Sequence, residues 1–330
     1  MKIFIDTNIL LDIYHLSSTD LEELRKILKL VEVGKIELLV SRQVIDEFWR
    51  NREGVIADAI KVFKESGAKS KVPNIIRGYA GAEELRKLVV ETNAKVKELL
   101  AEAEKDIESS TLKADEVVNE LFDKVTVGKI DDAIFDRAHK RVEIGNPPGK
   151  RGSLGDAINW EWILEQEIEF WDENLTIISG DGDFESVLNK GEIKEYLKRE
   201  WEIKNPLTEL RLDKTLTGFL KREFPEVQLA EQVDKLAALE MFEQSGTFAT
   251  THVAVAKLSQ FDDFTDGETA RILQAYHSNR QIYLIISDAD VEEFARKIVI
   301  FAKQESTKEL ADKLTDILQE KEPDLNDIPF

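Results

Sequence analysis

A chain of 330 residues with 42% apolar and 34% charged residues has the make-up of a folded globular protein, long enough for a main domain and a smaller one. The absence of cysteine excludes disulfides, thiolate zinc sites and cysteine nucleophiles, so a bound metal must use oxygen or histidine ligands. The formal charge of −21 argues against a generally basic nucleic-acid surface, while leaving room for local basic patches and for carboxylates gathered round a divalent cation.

The run Lys2-Ile3-Phe4-Ile5 predicts a short buried strand that delivers Asp6 to its carboxyl end, with the chain turning through Thr7 and Asn8 into a helix. Asp6 also interrupts the one run that imitates a signal sequence, and no apolar run approaches the roughly 20 residues that span a bilayer. The expectation is a cytoplasmic protein with no membrane partner. A second strand follows at Lys35–Val40, and Ser41 is placed to cap the next helix. In that helix Val44, Ile45, Phe48 and Trp49 form the apolar face, and Glu47 lies at its edge. Glu47 can reach a site from there; pairing with Arg50 or Arg52 is the structural alternative.

From about Glu53 to Val125 the pattern predicts a long antiparallel helical hairpin, broken between Ser70 and Gly81. The stretch Asp131 to Arg151 is locally basic and closes in a glycine- and proline-rich loop, where Lys150 and Arg151 are candidates for holding substrate phosphates. It is not a P-loop, because the glycine spacing and the Lys-Ser/Thr pair are missing. Ser153 is expected to cap the following helix, placing Asp156 in a first turn where free N–H groups favour its ionised form. Leu175–Ser179 predicts another buried strand, and the glycines flanking Asp181 let the chain turn sharply and project that carboxylate. Asp183 is either a peripheral site residue or the cap of a helix from Phe184.

Binding residues of an open parallel α/β sheet collect outside the carboxyl ends of its strands. Asp6 and Asp181 stand at such ends, and Glu47 and Asp156 lie in helices entered from the same edge, so one cluster can hold all four. Carboxylates that close repel one another unless a cation intervenes. All-oxygen ligation points to Mg²⁺ or Mn²⁺, and metal-assisted phosphodiester hydrolysis is the matching reaction.

Ile5-Asp6-Thr7-Asn8, the helix bearing Glu47, Gly155-Asp156-Ala157-Ile158 and Ile178-Ser179-Gly180-Asp181-Gly182-Asp183-Phe184 together resemble the successive motifs of a PIN-domain nuclease over roughly residues 1 to 200. The resemblance implies an α/β fold with a PIN-like parallel sheet, and metal-binding catalytic roles for Asp6, Glu47, Asp156 and Asp181. It further implies polar support from Asn8 and Ser179, with Asp183 assisting. Such nucleases usually act on RNA and some cut DNA flaps, so an endoribonuclease is the leading expectation, in defence, toxin or RNA-processing roles, with a DNA or flap nuclease as alternative. A haloacid-dehalogenase-like phosphatase using Asp6 as nucleophile is a further alternative, disfavoured because Asn8 stands where an acid is wanted. A non-catalytic PIN-like scaffold is the last.

The long insertion at about 53–125 and the C-terminal extension depart from compact members. The expected division is a nuclease domain at 1–204 and an accessory α/β module with a helical tail at 205–330, with strands at Thr247–Ala256 and Gln281–Ser287. This module is a candidate for binding a protein partner or for self-association. Ser287-Asp288-Ala289-Asp290 reads as a strand-to-helix cap. His15, His139, His252 and His277 are too scattered to form a ligand motif.

Overall fold

The computed structural model describes residues 1–15, 18–65, 74–149, 153–166 and 174–320. The chain divides into two compact units, Met1–Gln228 and Leu229–Phe330.

The first unit is built on a sheet of β1 (Lys2–Ile5), β2 (Glu37–Ser41), β3 (Val127–Gly128), β4 (Leu175–Ile178) and β5 (Leu210–Asp213), arranged β3-β2-β1-β4-β5. Every pairing is parallel, with Phe4 beside Leu39 and Ile5 beside Ile178. The two central strands, β1 and β4, are buried along their whole length, which is why they read as continuous apolar runs rather than alternating ones. Helices α1 (Thr7–Asp12), α2 (Ser18–Glu32), α3 (Arg42–Glu65), α4 (Ala80–Ser109), α5 (Lys113–Lys124), α6 (Asp132–Ile144), α7 (Gly155–Ile163), α8 (Glu195–Lys204) and α9 (Leu216–Glu223) complete it.

The antiparallel hairpin is present. Arg52 faces Asp115 and, further along, Lys64 faces Glu104, so α3 runs against the end of α4 and the start of α5. Asp115 is fully buried and holds this junction: Arg52 donates to both its oxygens at 2.6 and 2.5 Å, and the Tyr14 hydroxyl donates at 2.5 Å. β3 packs so closely on α7 that a Cβ at Gly128 would lie 2.1 Å from the Trp162 ring. Only glycine fits there.

Three expectations are corrected. The first unit does not end at the expected 204, because β5 adds to the sheet as an edge strand and α9 follows it, moving the division to Gln228. The helix expected from Phe184 is replaced by a loop in which Glu185 bridges Ile193, held by Ser186 N–H to Glu192 O at 2.8 Å. The second unit is helical over its described residues, with α10 (Ala230–Glu243), α11 (Phe248–Leu258), α12 (Asp266–Ser278), α13 (Arg280–Leu284), α14 (Ala289–Val299) and α15 (Glu305–Glu320). Its expected strands are helices because their buried residues recur at helical steps: Thr251, Ala254, Val255 and Leu258 in α11, and Ile282, Ile285 and Ile286 at and after α13. Thr247 and Asn279 cap these two helices. Asp288 precedes α14 without capping it through its side chain; Asp288 and Asp290 instead pair with His252 at 3.3 and 2.8 Å.

Among the described residues, no helix is long and apolar enough to cross a membrane.

Candidate functional site

From β1 the chain leads towards β2 on one side, and from β4 it leads towards β5 on the other. Their carboxyl ends form the crevice where open α/β sheets collect ligands. Asp6 leaves β1 into this crevice, with its own N–H bonded to Ile178 O at 2.9 Å and only 5% of its surface exposed. Its Oδ2 accepts from the Ser179 hydroxyl at 2.6 Å and from the Asn8 amide at 3.0 Å. The same Ser179 oxygen accepts from Asp181 N–H at 3.1 Å, while Asn8 Oδ1 accepts from Gly180 N–H at 3.4 Å. Ser179 and Asn8 therefore tie the two strand ends together, and Asp181 is aimed by the hydroxyl that also holds Asp6.

The loop beyond is fixed by cations acting on its backbone. Asp181 Oδ1 accepts from Asp183 N–H at 3.2 Å, Lys194 donates to the carbonyls of Gly182 and Asp183, each at 2.8 Å, and Lys214 donates to the Asp181 carbonyl at 3.3 Å. Lys194 and Lys214 have no counterpart in the sequence reading, because nothing local links them to an acidic turn; their role arises from chain crossings alone.

Glu47 and Asp156 arrive from the opposite side. Ser41 is the expected cap, accepting from Val44 N–H at 3.2 Å, and its hydroxyl also donates to Asn159 at 2.7 Å, locking α7 beside α3. Gln43, one helical turn before Glu47, donates to Glu47 Oε2 at 3.1 Å. The i,i+4 spacing of the two residues is the sequence signal for this contact. The arginine pairing considered for Glu47 is not formed: Arg52 is committed to Asp115. A Cβ at Gly155 would lie 2.8 Å from Glu47 Oε2 and 3.0 Å from Gln43 Nε2, so a larger residue at the start of α7 would push the ends of these two side chains aside. The N-cap position of α7 is Leu154, with no side-chain cap, rather than Ser153; Asp156 still occupies the first turn.

Carboxylate oxygens of Asp156, Asp181 and Asp183 all lie within 4.8 Å of one another. The tightest group thus contains Asp183, and Asp6 and Glu47 act on it from alongside. Burial, then repulsion from Asp6, Asp181, Asp183 and Glu47, pushes the Asp156 carboxyl up to about 8. Burial is also the main reason the Asp6 carboxyl rises to about 6; the Ser179 hydrogen bond opposes the rise, and Glu47 and Asp181 add to it. Lys150 and Arg151 lie outside the described residues.

The residues present fit a hard divalent cation. The donors are all carboxylate oxygens, and Asp183 Oδ2 is buried without a hydrogen-bond partner. A buried orphan acceptor of that kind is satisfied by an ion.

Fold and site together define a parallel α/β protein with a carboxylate cluster at its topological switch point. A family model for the PIN domain matches residues 3–184, more than half of the 330 residues, and the chain belongs to the PIN-domain family. PIN domains form a nuclease superfamily whose members generally depend on divalent ions such as Mg²⁺ or Mn²⁺. Comparison with curated proteins and with solved structures gives no match.

Proposed function

We propose that the chain is a Mg²⁺- or Mn²⁺-dependent endoribonuclease that hydrolyses RNA phosphodiester bonds. The observation that carries this reading is the gathering of Asp6, Glu47, Asp156, Asp181 and Asp183 at one crevice, where Asp6 and Asp156 are held above the usual carboxylate range by burial and mutual repulsion. Membership of the PIN-domain family supports nuclease chemistry. RNA rather than DNA is the assigned substrate by resemblance to that family.

Asp156, Asp181 and Asp183 would hold the cation, with Asp6 and Glu47 completing the negative field. When bound, the ion supplies neutralisation of the phosphodiester charge and acidification of the attacking water. Glu47 is tethered by Gln43 through Oε2, so Oε1 would be the oxygen that takes up a proton during hydrolysis. Ser179 and Asn8 are positioning residues: by restraining Asp6 and the turn at Asp181 they fix where the phosphate must sit. The second unit carries more acidic than basic residues, so it is assigned to a protein partner or to self-association rather than to phosphate binding, and the protein to the cytoplasm.

The test is cleavage of labelled RNA and DNA oligonucleotides with Mg²⁺ or Mn²⁺, with chelator, and by Asp181→Asn. RNA cleavage that needs the metal and Asp181 is the expected result. Cleavage indifferent to both, or confined to DNA, refutes the proposal.

A further inference from the structure

A recess of about 390 Å³ opens beside the acid cluster, between α3, α6 and the start of α7. Its volume lies within the range of small-ligand sites, roughly 300–1,000 Å³. Glu47 belongs to both places: it lines the recess and raises the Asp6 and Asp156 carboxyls. The recess is therefore continuous with the chemistry.

Its lining has the chemistry of base recognition. Phe135 offers a ring that is 46% exposed, on a helix whose Ile134 and Ala138 are buried. Ile158, 7% exposed, gives an apolar surface. Asn51 and Gln43 bring amides; Gln43 Nε2 gives one N–H to Glu47, which turns the remaining N–H and the carbonyl to a ligand. Arg50 adds a guanidinium, whereas its neighbours Arg42 and Arg52 are paired with Asp46 and Asp115. An exposed aromatic face, two amides and a cation form the combination that stacks and edge-reads an unpaired base.

Resting on the nuclease reading above, we infer that this recess receives one unpaired nucleobase of a single-stranded substrate, next to the phosphate held at the acid cluster. Phe135 stacks on the base, Asn51 and Gln43 meet its edge, and Arg50 lies against the base or its phosphate. The recess selects strands that can splay a base out, so a fully paired duplex is excluded at this position.

The test uses the full chain and a set of labelled single-stranded RNAs in which each nucleotide around the cut is replaced in turn by an abasic one. Cleavage is measured with Mg²⁺, and binding by fluorescence anisotropy with Ca²⁺. Removing the base at one position should weaken binding and raise KM roughly 5- to 100-fold, the span of one base–aromatic stack. Phe135→Ala should weaken binding of intact RNA equally, Phe135→Trp should restore it, and the two losses should not multiply when abasic RNA meets Phe135→Ala. Equal binding of every abasic RNA, or full multiplication of the two losses, overturns the inference. If base-dependent binding through Phe135 persists while no RNA is cut, the nuclease reading fails and the base subsite stands.

Discussion

Replacing Asp156 by asparagine is expected to make the metal-free protein more stable at alkaline pH while removing its response to divalent cations. The carboxyl moves from its ordinary value of 3.8 to about 8 in the fold, chiefly through burial and then through the four acids facing it. Between those two pH values the folded chain keeps a proton that the unfolded chain has released. Stability therefore falls as pH rises from about 4 to about 8, and is flat beyond. Asp6, raised from 3.8 to about 6, contributes with the same sign over the lower part of that window. At ~1.4 kcal/mol for each tenfold change in proton affinity, the Asp156 shift bounds the loss at about 6 kcal/mol. Partial exposure and sharing of one repulsion among five acids reduce the expected figure to about 2–3 kcal/mol. The assay is urea unfolding followed by tryptophan fluorescence in chelator, at pH 5 and pH 8.5, for wild type and Asp156→Asn. The variant should gain on the wild type by that amount between the two pH values. Adding Mg²⁺ at pH 8.5 should then stabilise the wild type, by about 2.7 kcal/mol at a concentration one hundred times its Kd, and leave the variant nearly unmoved. A variant that is less stable than wild type at pH 8.5 without metal, or a difference independent of pH, would refute the electrostatic argument.

Gly155→Ala places a methyl group 2.8 Å from Glu47 Oε2, so it should displace that carboxylate and lower kcat about 10- to 100-fold on cleaved RNA with little change in the unfolding midpoint. An unchanged kcat would show that the contact of α7 with Glu47 is not used. Arg52→Ala leaves Asp115 as a fully buried, uncompensated charge and should cost about 3–5 kcal/mol in urea unfolding, whereas the exposed Arg42→Ala should cost under about 1 kcal/mol. Equal effects of the two substitutions would contradict the hub assigned to Asp115.

How legible the site was depends on how local each signal is. Asp6 and Asp181 could be read because an apolar run stops at an acid, and strand ends in a parallel sheet converge on one edge. Glu47 and Asp156 followed from helical phase. Asp183 was ambiguous, since an Asp after Gly-Asp-Gly suits a cap as well as a cluster, and only the turn that bonds its N–H to Asp181 decides where its carboxylate goes. Lys194 and Lys214 were invisible, because they reach the turn from 11 to 33 residues away along the chain. β5 was missed because Leu210–Asp213 is short and only alternately buried, as an edge strand is. The segments of α11 and α13 are rich in isoleucine, valine and threonine, which suit strands, but the spacing of their buried residues is helical.

The two lysines that steady the acidic turn touch its carbonyls and not the clustered carboxylates. The repulsion among acids crowded within 4.8 Å, closer than the roughly 8 Å over which dissolved salt screens at physiological ionic strength, is therefore left for a proton on Asp156 or an added cation to relieve. A dication brings twice the charge of a monovalent ion against that proton, so charge density favours it before any coordination geometry is consulted.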